Sequence, residues 1–145
     1  MKLNSRRASG FTLVELIIVV AIVAVLSAVA IPSYRDYIIR TRVSEAALVS
    51  QSIRTSVELY ASRHGRMPSA LGSLSYVATT PASYATEYIG SIGYTGGDTV
   101  VIHFISDVSL GNASGGNLSY TAAISGALVN WTIGSNDIRQ KYWPD

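Results

Sequence analysis

An apolar run near the N-terminus constrains this chain more than any other feature. Residues 11–31 carry a single charged side chain, Glu15. As a helix with a rise of ~1.5 Å per residue, the run would span roughly 30 Å, which matches the hydrocarbon core of a bilayer. It therefore predicts a transmembrane helix. The rest of the 145-residue chain predicts one small domain with a modest core.

The charges around this run predict its orientation. Lys2, Arg6 and Arg7 precede it closely, so the N-terminus should stay in the cytoplasm and the rest should be exported. Without these three, the chain has 8 basic and 9 acidic residues, so its formal charge of +2 is poor support for nucleic-acid binding. The sequence has no cysteine, which excludes disulfides and thiolate metal sites.

Two general interpretations of the run compete with a third, more specific one. A secretory signal has a shorter apolar region followed by small residues, and residues 28–30 resemble such a cleavage site. A plain signal anchor fits the length but gives no reason for Glu15, because a carboxylate in a membrane needs a partner or a function. Alternatively, Glu15 lies near enough to the interface to stay hydrated.

The residues at the start of the run favour a third origin. Gly10-Phe-Thr-Leu-Val-Glu15, after a short basic leader, resembles the cleavage motif of type IV prepilins. The resemblance implies that a prepilin peptidase cuts after Gly10 and methylates the new N-terminal Phe11, so that the membrane helix remains in the mature protein. The amine created on Phe11 would supply the partner that Glu15 lacks.

The resemblance extends past the run. Residues 30–46, Ala-Ile-Pro-Ser-Tyr-Arg-Asp-Tyr-Ile-Ile-Arg-Thr-Arg-Val-Ser-Glu-Ala, are similar to the type IVa pilin pattern, so the likeness covers about residues 6–48. Together with the helical periodicity up to residue 66 and the change of composition from Met67 onward, it predicts four parts. These are a leader peptide at 1–10, a transmembrane and filament-core helix at 11–31, an amphipathic continuation at 32–66 and a globular, β-rich head at 67–145.

Helical periodicity continues beyond the membrane segment. Apolar residues recur at alternating spacings of four and three, with Ser50 as the one exception: Ile39, Val43, Ala46, Ser50, Ile53, Val57 and Tyr60. Arg54 and Glu58, four residues apart, predict a supporting ion pair. Pro32 removes one backbone hydrogen bond, so we expect a kink there.

The C-terminal region predicts a small antiparallel sheet. Residues 99–105 are the clearest strand, and residues 118–124 and 128–133 flank a turn at Ser125-Gly126. Residues 84–94 predict an irregular strand or loop. The fold class is therefore α+β, with the long helix packed on three or four strands, as the type IV pilin resemblance also implies.

No catalytic constellation is visible in the head. His64 and His103 fall in different elements, and the carboxylates are scattered; Asp98 is a turn residue, with a calcium contact as the alternative. We therefore expect no enzyme activity, no cofactor and no metal site. Many type IVa pilins close the C-terminal region with a disulfide, which this chain lacks. Tyr142 and Trp143 are the candidates to pin the tail, or else to contact another surface.

The implied function is structural. The resemblance implies a type IV pilus subunit that is held in the inner membrane by one span, with its head in the periplasm. It would then polymerise with other pilin subunits into an extracellular fimbrium for adhesion, twitching motility or DNA uptake. Its partners would be the prepilin peptidase and the pilus assembly machinery. Glu15 would set assembly register by pairing with a neighbour's Phe11.

Three alternatives remain open. A type II secretion pseudopilin shares the N-terminal motif, and a DNA-uptake minor pilin shares the whole design. DNA as a partner is possible but unsupported, because the head beyond the long helix carries only Arg66, Arg139 and Lys141. A membrane-anchored enzyme is the third alternative.

Overall fold

The computed structural model describes residues 10–74, 77, 78, 80–126 and 128–144. The predicted leader therefore lies outside the described residues except for Gly10. One long helix, α1, spans Leu13–His64, and four strands follow: β1 (Ile89–Thr95), β2 (Thr99–Phe104), β3 (Asn117–Ser125) and β4 (Leu128–Gly134). Short 3-10 helices occupy Leu71–Ser73, Pro81–Tyr84, Val108–Ala113 and Gln140–Tyr142. The chain divides into two compact units, one ending at Arg35 and one beginning at Asp36.

The first unit holds the apolar half of α1. Its large apolar side chains are exposed along the whole run, each by at least 50%. Within the described residues, α1 is the one helix long and apolar enough to cross a membrane. Pro32 lies inside α1, and the Ser33 hydroxyl donates a hydrogen bond of 3.0 Å to the Val29 carbonyl. The kink at Pro32 stays a prediction.

The second unit is built on the amphipathic half of α1. The predicted stripe is confirmed, since most of its members are fully buried and one further residue joins them: Val43, Ala46, Ser50, Ile53, Val57 and Ala61. Ile39 and Tyr60, at its two ends, are half-buried. Ser50 is tolerated in the core because its hydroxyl donates 3.1 Å to the Ala47 carbonyl.

The sheet is an antiparallel meander in the order β1-β2-β3-β4. Its buried residues alternate along β2 and β3, as expected for a sheet with one face on a core. With the stripe of α1 they form one hydrophobic cluster, to which the sheet contributes Ile89, Ile92, Val100, Ile102, Phe104, Leu118 and Tyr120. A four-stranded sheet packed on a long helix confirms the predicted α+β class.

The strand predictions were confirmed with small shifts at the ends. β2, β3 and β4 match the three predicted strands, and Gly126 takes a positive φ of 64° in the turn between β3 and β4. The segment predicted as an irregular strand is β1, whose register with β2 shifts between Ile89 and Ser91. This irregularity falls at Gly90, where a bulge is easily accommodated.

Substitutions at a buried and an exposed position of α1 should differ in their effect on the free energy of unfolding. Ile53→Ala should lower the free energy of unfolding by about 2–5 kcal/mol, because Ile53 is 0% exposed and its removal leaves a cavity. Leu48→Ala, at a site 72% exposed on α1, should change the value by less than about 0.5 kcal/mol. Urea unfolding of the detergent-solubilised chain measures both. Equal losses would contradict this packing.

Candidate assembly site

The N-terminal end of α1 is closed by a reciprocal pair of side chains. Glu15 Oε2 accepts hydrogen bonds of 2.8 Å from both the Thr12 backbone N–H and the Thr12 hydroxyl. The Thr12 hydroxyl in turn accepts 3.2 Å from the Glu15 N–H. This is a capping box, which satisfies backbone donors that a helix start would otherwise leave unpaired.

This partner of Glu15 was not predicted from the sequence. We expected the amine of a cleaved Phe11 to pair with the carboxylate, whereas in the uncleaved chain the Phe11 nitrogen is part of a peptide bond and Thr12 binds Glu15. The signal was present in the sequence, since Thr-x-x-Glu directly before an apolar run is the pattern of a capping box. Gly10 and Phe11 precede α1 and are exposed, Phe11 by 82%.

A second polar cluster fastens the C-terminal tail to α1. The Lys141 ammonium lies 2.5 Å from Asp36 Oδ2, and the Tyr142 hydroxyl donates 2.6 Å to Asp36 Oδ1. Arg40 donates from Nε at 2.9 Å and from Nη2 at 2.5 Å to the Lys141 carbonyl. We call Asp36, Arg40, Lys141 and Tyr142 the tail clasp.

Buried apolar side chains next to the tail clasp also hold the tail. Tyr142 is 5% exposed and belongs to the hydrophobic cluster, together with Ile138. The half-buried Trp143 packs beside them, and its indole N–H donates 2.9 Å to the Ile138 carbonyl. Tyr142 and Trp143 therefore pin the Cys-free tail, as proposed from the sequence. Asp36 is the partner that sequence reasoning missed, because nothing in its neighbours marks it.

The tail clasp shifts the titration of its charged members. The hydrogen bond from Lys141, followed by that from Tyr142, lowers the pKa of Asp36. The same bond to Asp36 raises the pKa of Lys141. Both charged forms are therefore favoured in the folded chain. Both side chains are about half exposed, so solvent screens the attraction.

Two arginines of α1, Arg42 and Arg54, contact aromatic rings of the head. Arg42 donates to the Ser109 carbonyl and stacks over the Tyr88 ring at 4.8 Å. Arg54 lies over the Tyr120 ring at 4.4 Å and donates 3.2 Å to the Ala47 carbonyl. These contacts leave neither guanidinium free to join a nucleic-acid-binding strip.

The predicted pairing of Arg54 with Glu58 was wrong. The Glu58 carboxylate instead accepts 2.7 Å from the Trp131 indole N–H of β4. Helix spacing places the two charges within reach of each other, but each side chain found a partner on the sheet. Contacts with the sheet thus outweighed a surface ion pair worth a few tenths of a kcal/mol.

The remaining sequence candidates each contact a neighbouring side chain. His103 is an exposed residue of β2, and its Nδ1 lies 2.6 Å from Asn117 Oδ1. Asp98 lies in the turn before β2, where its carboxylate accepts 2.8 Å from the Thr99 hydroxyl. His64 stacks on Tyr60 at the end of α1. Among the described residues, no three His, Asp or Glu side chains gather in a way that could hold a metal ion.

Acid should loosen the tail. The pKa of Asp36 is lower in the folded chain than in the unfolded one, so its contribution is complete above about 3.9 and is lost as the pH falls through the lowered value. We expect the fluorescence of Trp143, read in a Trp131→Phe background, to report this loosening below about pH 4.

Asp36→Asn supplies the matched control for the acid titration. The pKa of Asp107 is also lowered, by its hydrogen bonds with Ser109, so more than one carboxylate protonates in this range. The Asn variant should have a looser tail at neutral pH and should lose the Trp143 transition. A transition that persists unchanged in the variant would assign it to another carboxylate.

Comparison with known proteins identifies the family. Residues 5–31 match the prokaryotic N-terminal methylation motif, and residues 39–145 match the pilin (bacterial filament) family. The chain is 36% identical over 125 residues to a type IV major pilin protein PilE1 of Neisseria gonorrhoeae, which covers 86% of this chain and 74% of that one.

Two further relatives have similar names. A fimbrial protein of Neisseria meningitidis serogroup B is 35% identical over 132 residues, covering 91% of this chain and 76% of that one. A fimbrial protein of Moraxella nonliquefaciens is 52% identical over 48 residues, 33% of this chain and 31% of that one. With its N-terminal methylation motif, its long helix and its four-stranded antiparallel sheet, the chain belongs to the type IV pilin family.

Proposed function

We propose that this type IV pilin is stored in the inner membrane as a single-pass precursor and is polymerised, after cleavage, into a surface pilus. The observation that carries the proposal is the exposure of the apolar residues 11–31 in a chain whose head has a closed core of its own. Such a surface needs lipid before assembly and other helices afterwards. The head would wait in the periplasm, and a pilus assembly machinery would extract the subunit.

The membrane form gains support from the capping box. A bare carboxylate inside a bilayer costs about 2.5–3.5 kcal/mol on insertion scales. Thr12 reduces this cost by donating two hydrogen bonds to Glu15, so the uncleaved chain need not wait for a second subunit to accommodate the charge. The Glu15 carboxylate can therefore be accommodated in the membrane before assembly and still form an ion pair during assembly.

Cleavage would follow Gly10. Gly10 and Phe11 are exposed and non-helical, and a protease needs an extended, accessible segment. The match of residues 5–31 to the N-terminal methylation motif supports a prepilin peptidase that also methylates Phe11. The proposed division of the chain is a leader at 1–10, a membrane and filament-core segment at 11–31, its amphipathic continuation at 32–66 and the head at 67–145.

The mass of the mature protein tests this processing. Chain recovered from the sheared surface fraction should begin at N-methylated Phe11, and Gly10→Val should leave the leader attached and the surface fraction empty. Intact mass and N-terminal sequencing read both. A start at Met1 would support a signal anchor, and a start near Ile31 a secreted protein; either would reject the proposal.

Assembly register would depend on Glu15 and Phe11. In a filament core made of apolar helices, the Glu15 carboxylate would pair with the Phe11 amine of a neighbouring subunit. Both described hydrogen bonds to Glu15 go to Oε2, so Oε1 can accept an additional donor. A misaligned neighbour would leave a buried charge unpaired, which is strongly destabilising, so the pair would select one axial offset.

Two variants of Glu15 separate its charge from its role in the cap. Glu15→Val removes both, and should leave membrane insertion intact while reducing surface filaments. Glu15→Gln retains an acceptor for Thr12 but loses the charge, so it should assemble as poorly as the Val variant. Immunoblots of membrane and sheared fractions measure insertion and assembly. Normal piliation of Glu15→Gln would reject the register role of the charge.

The names of the relatives favour a surface pilus over a type II secretion pseudopilin, since they are major pilins and fimbrial proteins. An enzyme role has no support in this structural family. DNA uptake would need a contact surface beyond Arg42 and Arg54, which contact the head. Pro32 would bend α1 locally, because proline removes one backbone hydrogen bond of the helix.

A further inference from the structure

A cavity of about 250 Å³ lies beside the C-terminal turns of α1. It combines basic, hydroxyl-bearing and apolar side chains, and its lining residues are Ser56, Leu59, Tyr60, Arg63, His64 and Ser73. The first four recur at spacings of three, one and three, which places them on one face of the helix. We call this space the distal cavity.

The charge-bearing side chains at the distal cavity are all basic. Arg63 and His64 line it, and Arg66 follows shortly after the end of the helix. Residues 59–86 contain no acidic residue, and within the part of the chain that the structure describes neither arginine forms an ion pair. Glu58 lies on the opposite side of α1, where it binds the indole of β4. The positive charge at the cavity is therefore not balanced by a nearby carboxylate.

Basic residues in the last turn of a helix often stabilise the carbonyl groups that the helix leaves unpaired. Here local donors already bind two of these carbonyls. His64 Nδ1 lies 3.0 Å from the Tyr60 carbonyl oxygen, and the Gly65 N–H donates 2.8 Å to the Ala61 carbonyl. The Arg63 guanidinium makes no hydrogen bond with the described residues, so its donors are available to a ligand.

An aromatic ring holds the other basic groups in place. The His64 imidazole stacks on the Tyr60 ring with centroids 4.1 Å apart, and Arg66 lies over the same ring at 5.8 Å. Because a carbonyl oxygen only accepts hydrogen bonds, His64 Nδ1 carries the proton and Nε2 remains for another partner. Ser56 and Ser73 are half-buried, and their hydroxyls add neutral donors to the lining.

We infer that the distal cavity binds the phosphate monoester of a small polyol. The planar guanidinium of Arg63 can donate two parallel hydrogen bonds to phosphate oxygens, and the serine hydroxyls can donate to the remaining oxygens. A phosphate monoester carries about −1.5 to −2 charges at neutral pH, so it matches two basic groups, whereas a carboxylate matches one.

The size of the distal cavity limits the ligand further. Its volume lies below the roughly 300–1,000 Å³ of pockets that hold drug-sized molecules, so a phosphate on a short polyol fits better than a nucleotide. Leu59 gives the carbon chain of such a polyol an apolar wall. The site needs only the folded head, so binding does not depend on membrane storage or on assembly.

Equilibrium dialysis of the full chain in an uncharged detergent tests the site, with radiolabelled inorganic phosphate as the probe. Binding should saturate at one phosphate per chain, with a Kd on the order of 0.1–1 mM. Unlabelled glycerol 3-phosphate should displace the label. Arg63→Ala should weaken binding about tenfold or more, because it removes a charge-assisted pair of hydrogen bonds.

Two control variants separate a site from general attraction to a positive surface. Arg139→Ala removes the same charge from an exposed residue of the tail and should change the Kd by less than about twofold. Arg63→Lys keeps the charge but loses the planar fork, so it should bind phosphate more weakly than the natural chain. Far-UV circular dichroism checks that each variant still folds. Equal losses from Arg63→Ala and Arg139→Ala would overturn the inference.

Competing anions test the chemical class of the ligand. At equal ionic strength, sodium sulfate should displace the labelled phosphate, whereas sodium acetate should displace little of it. Acetate that competes as well as sulfate, or duplex DNA that competes better than glycerol 3-phosphate, would overturn the choice of ligand. Absence of saturable binding would overturn the site itself and leave the proposed function intact. Failure of the proposed function would appear as missing surface filaments, with phosphate binding by the solubilised chain unchanged.

Discussion

The exposed apolar half of α1 is the constraint on which the rest of this pilin depends. Hydrophobic surface in water costs about 25 cal/mol per Å², so residues 11–31 need cover in every long-lived state. Lipid can cover these residues in any orientation of the helix, whereas neighbouring helices cover them only when the helices pack in a defined arrangement. Glu15 adds to the difference between the lipid-covered state and the helix-covered state. Thr12 accommodates its charge within one chain, and an amine from another chain would pair it in a defined position.

The second half of α1 forms part of the core of the head. Beyond Asp36 it stops being apolar on all sides and buries one stripe against the sheet, with Val43, Ile53 and Val57 fully covered. This part of the fold was predictable from the sequence, because burial imposes a period of 3.6 on a helix and of 2 on a strand. The turn at Gly126 and the strands on either side were predictable for the same local reason. Even the irregular β1 was indicated by Gly90.

The polar contacts could not be predicted in this way. Asp36 pairs with Lys141 and Tyr142 more than a hundred residues away, and Arg40 binds the Lys141 carbonyl. A single carboxylate on an exposed helix turn has many possible partners, and no periodic pattern selects one. Arg54 was predicted from helix spacing to pair with Glu58, but the prediction was wrong. Arg54 instead contacts the Tyr120 ring, and Glu58 accepts a hydrogen bond from Trp131. The capping box at Thr12 is the exception, because Thr-x-x-Glu before an apolar run is a local pattern that predicts it.

The tail clasp shows how a chain without cysteine can hold its C-terminus. A disulfide closes a loop covalently, whereas an exposed ion pair contributes about 0–1 kcal/mol. The pair of Asp36 with Lys141 is therefore too weak to hold the tail by itself. Burial of Tyr142 and Ile138 supplies most of the attachment, since each large apolar group buried is worth about 1.5–3 kcal/mol. The charged bonds then decide which turn of α1 the tail meets, because Arg40 and Asp36 offer matched partners at that one place. In the tail, burial supplies the attachment and charged groups set the register. Glu15 would set register in the filament in the same way, while the apolar helices supply the attachment.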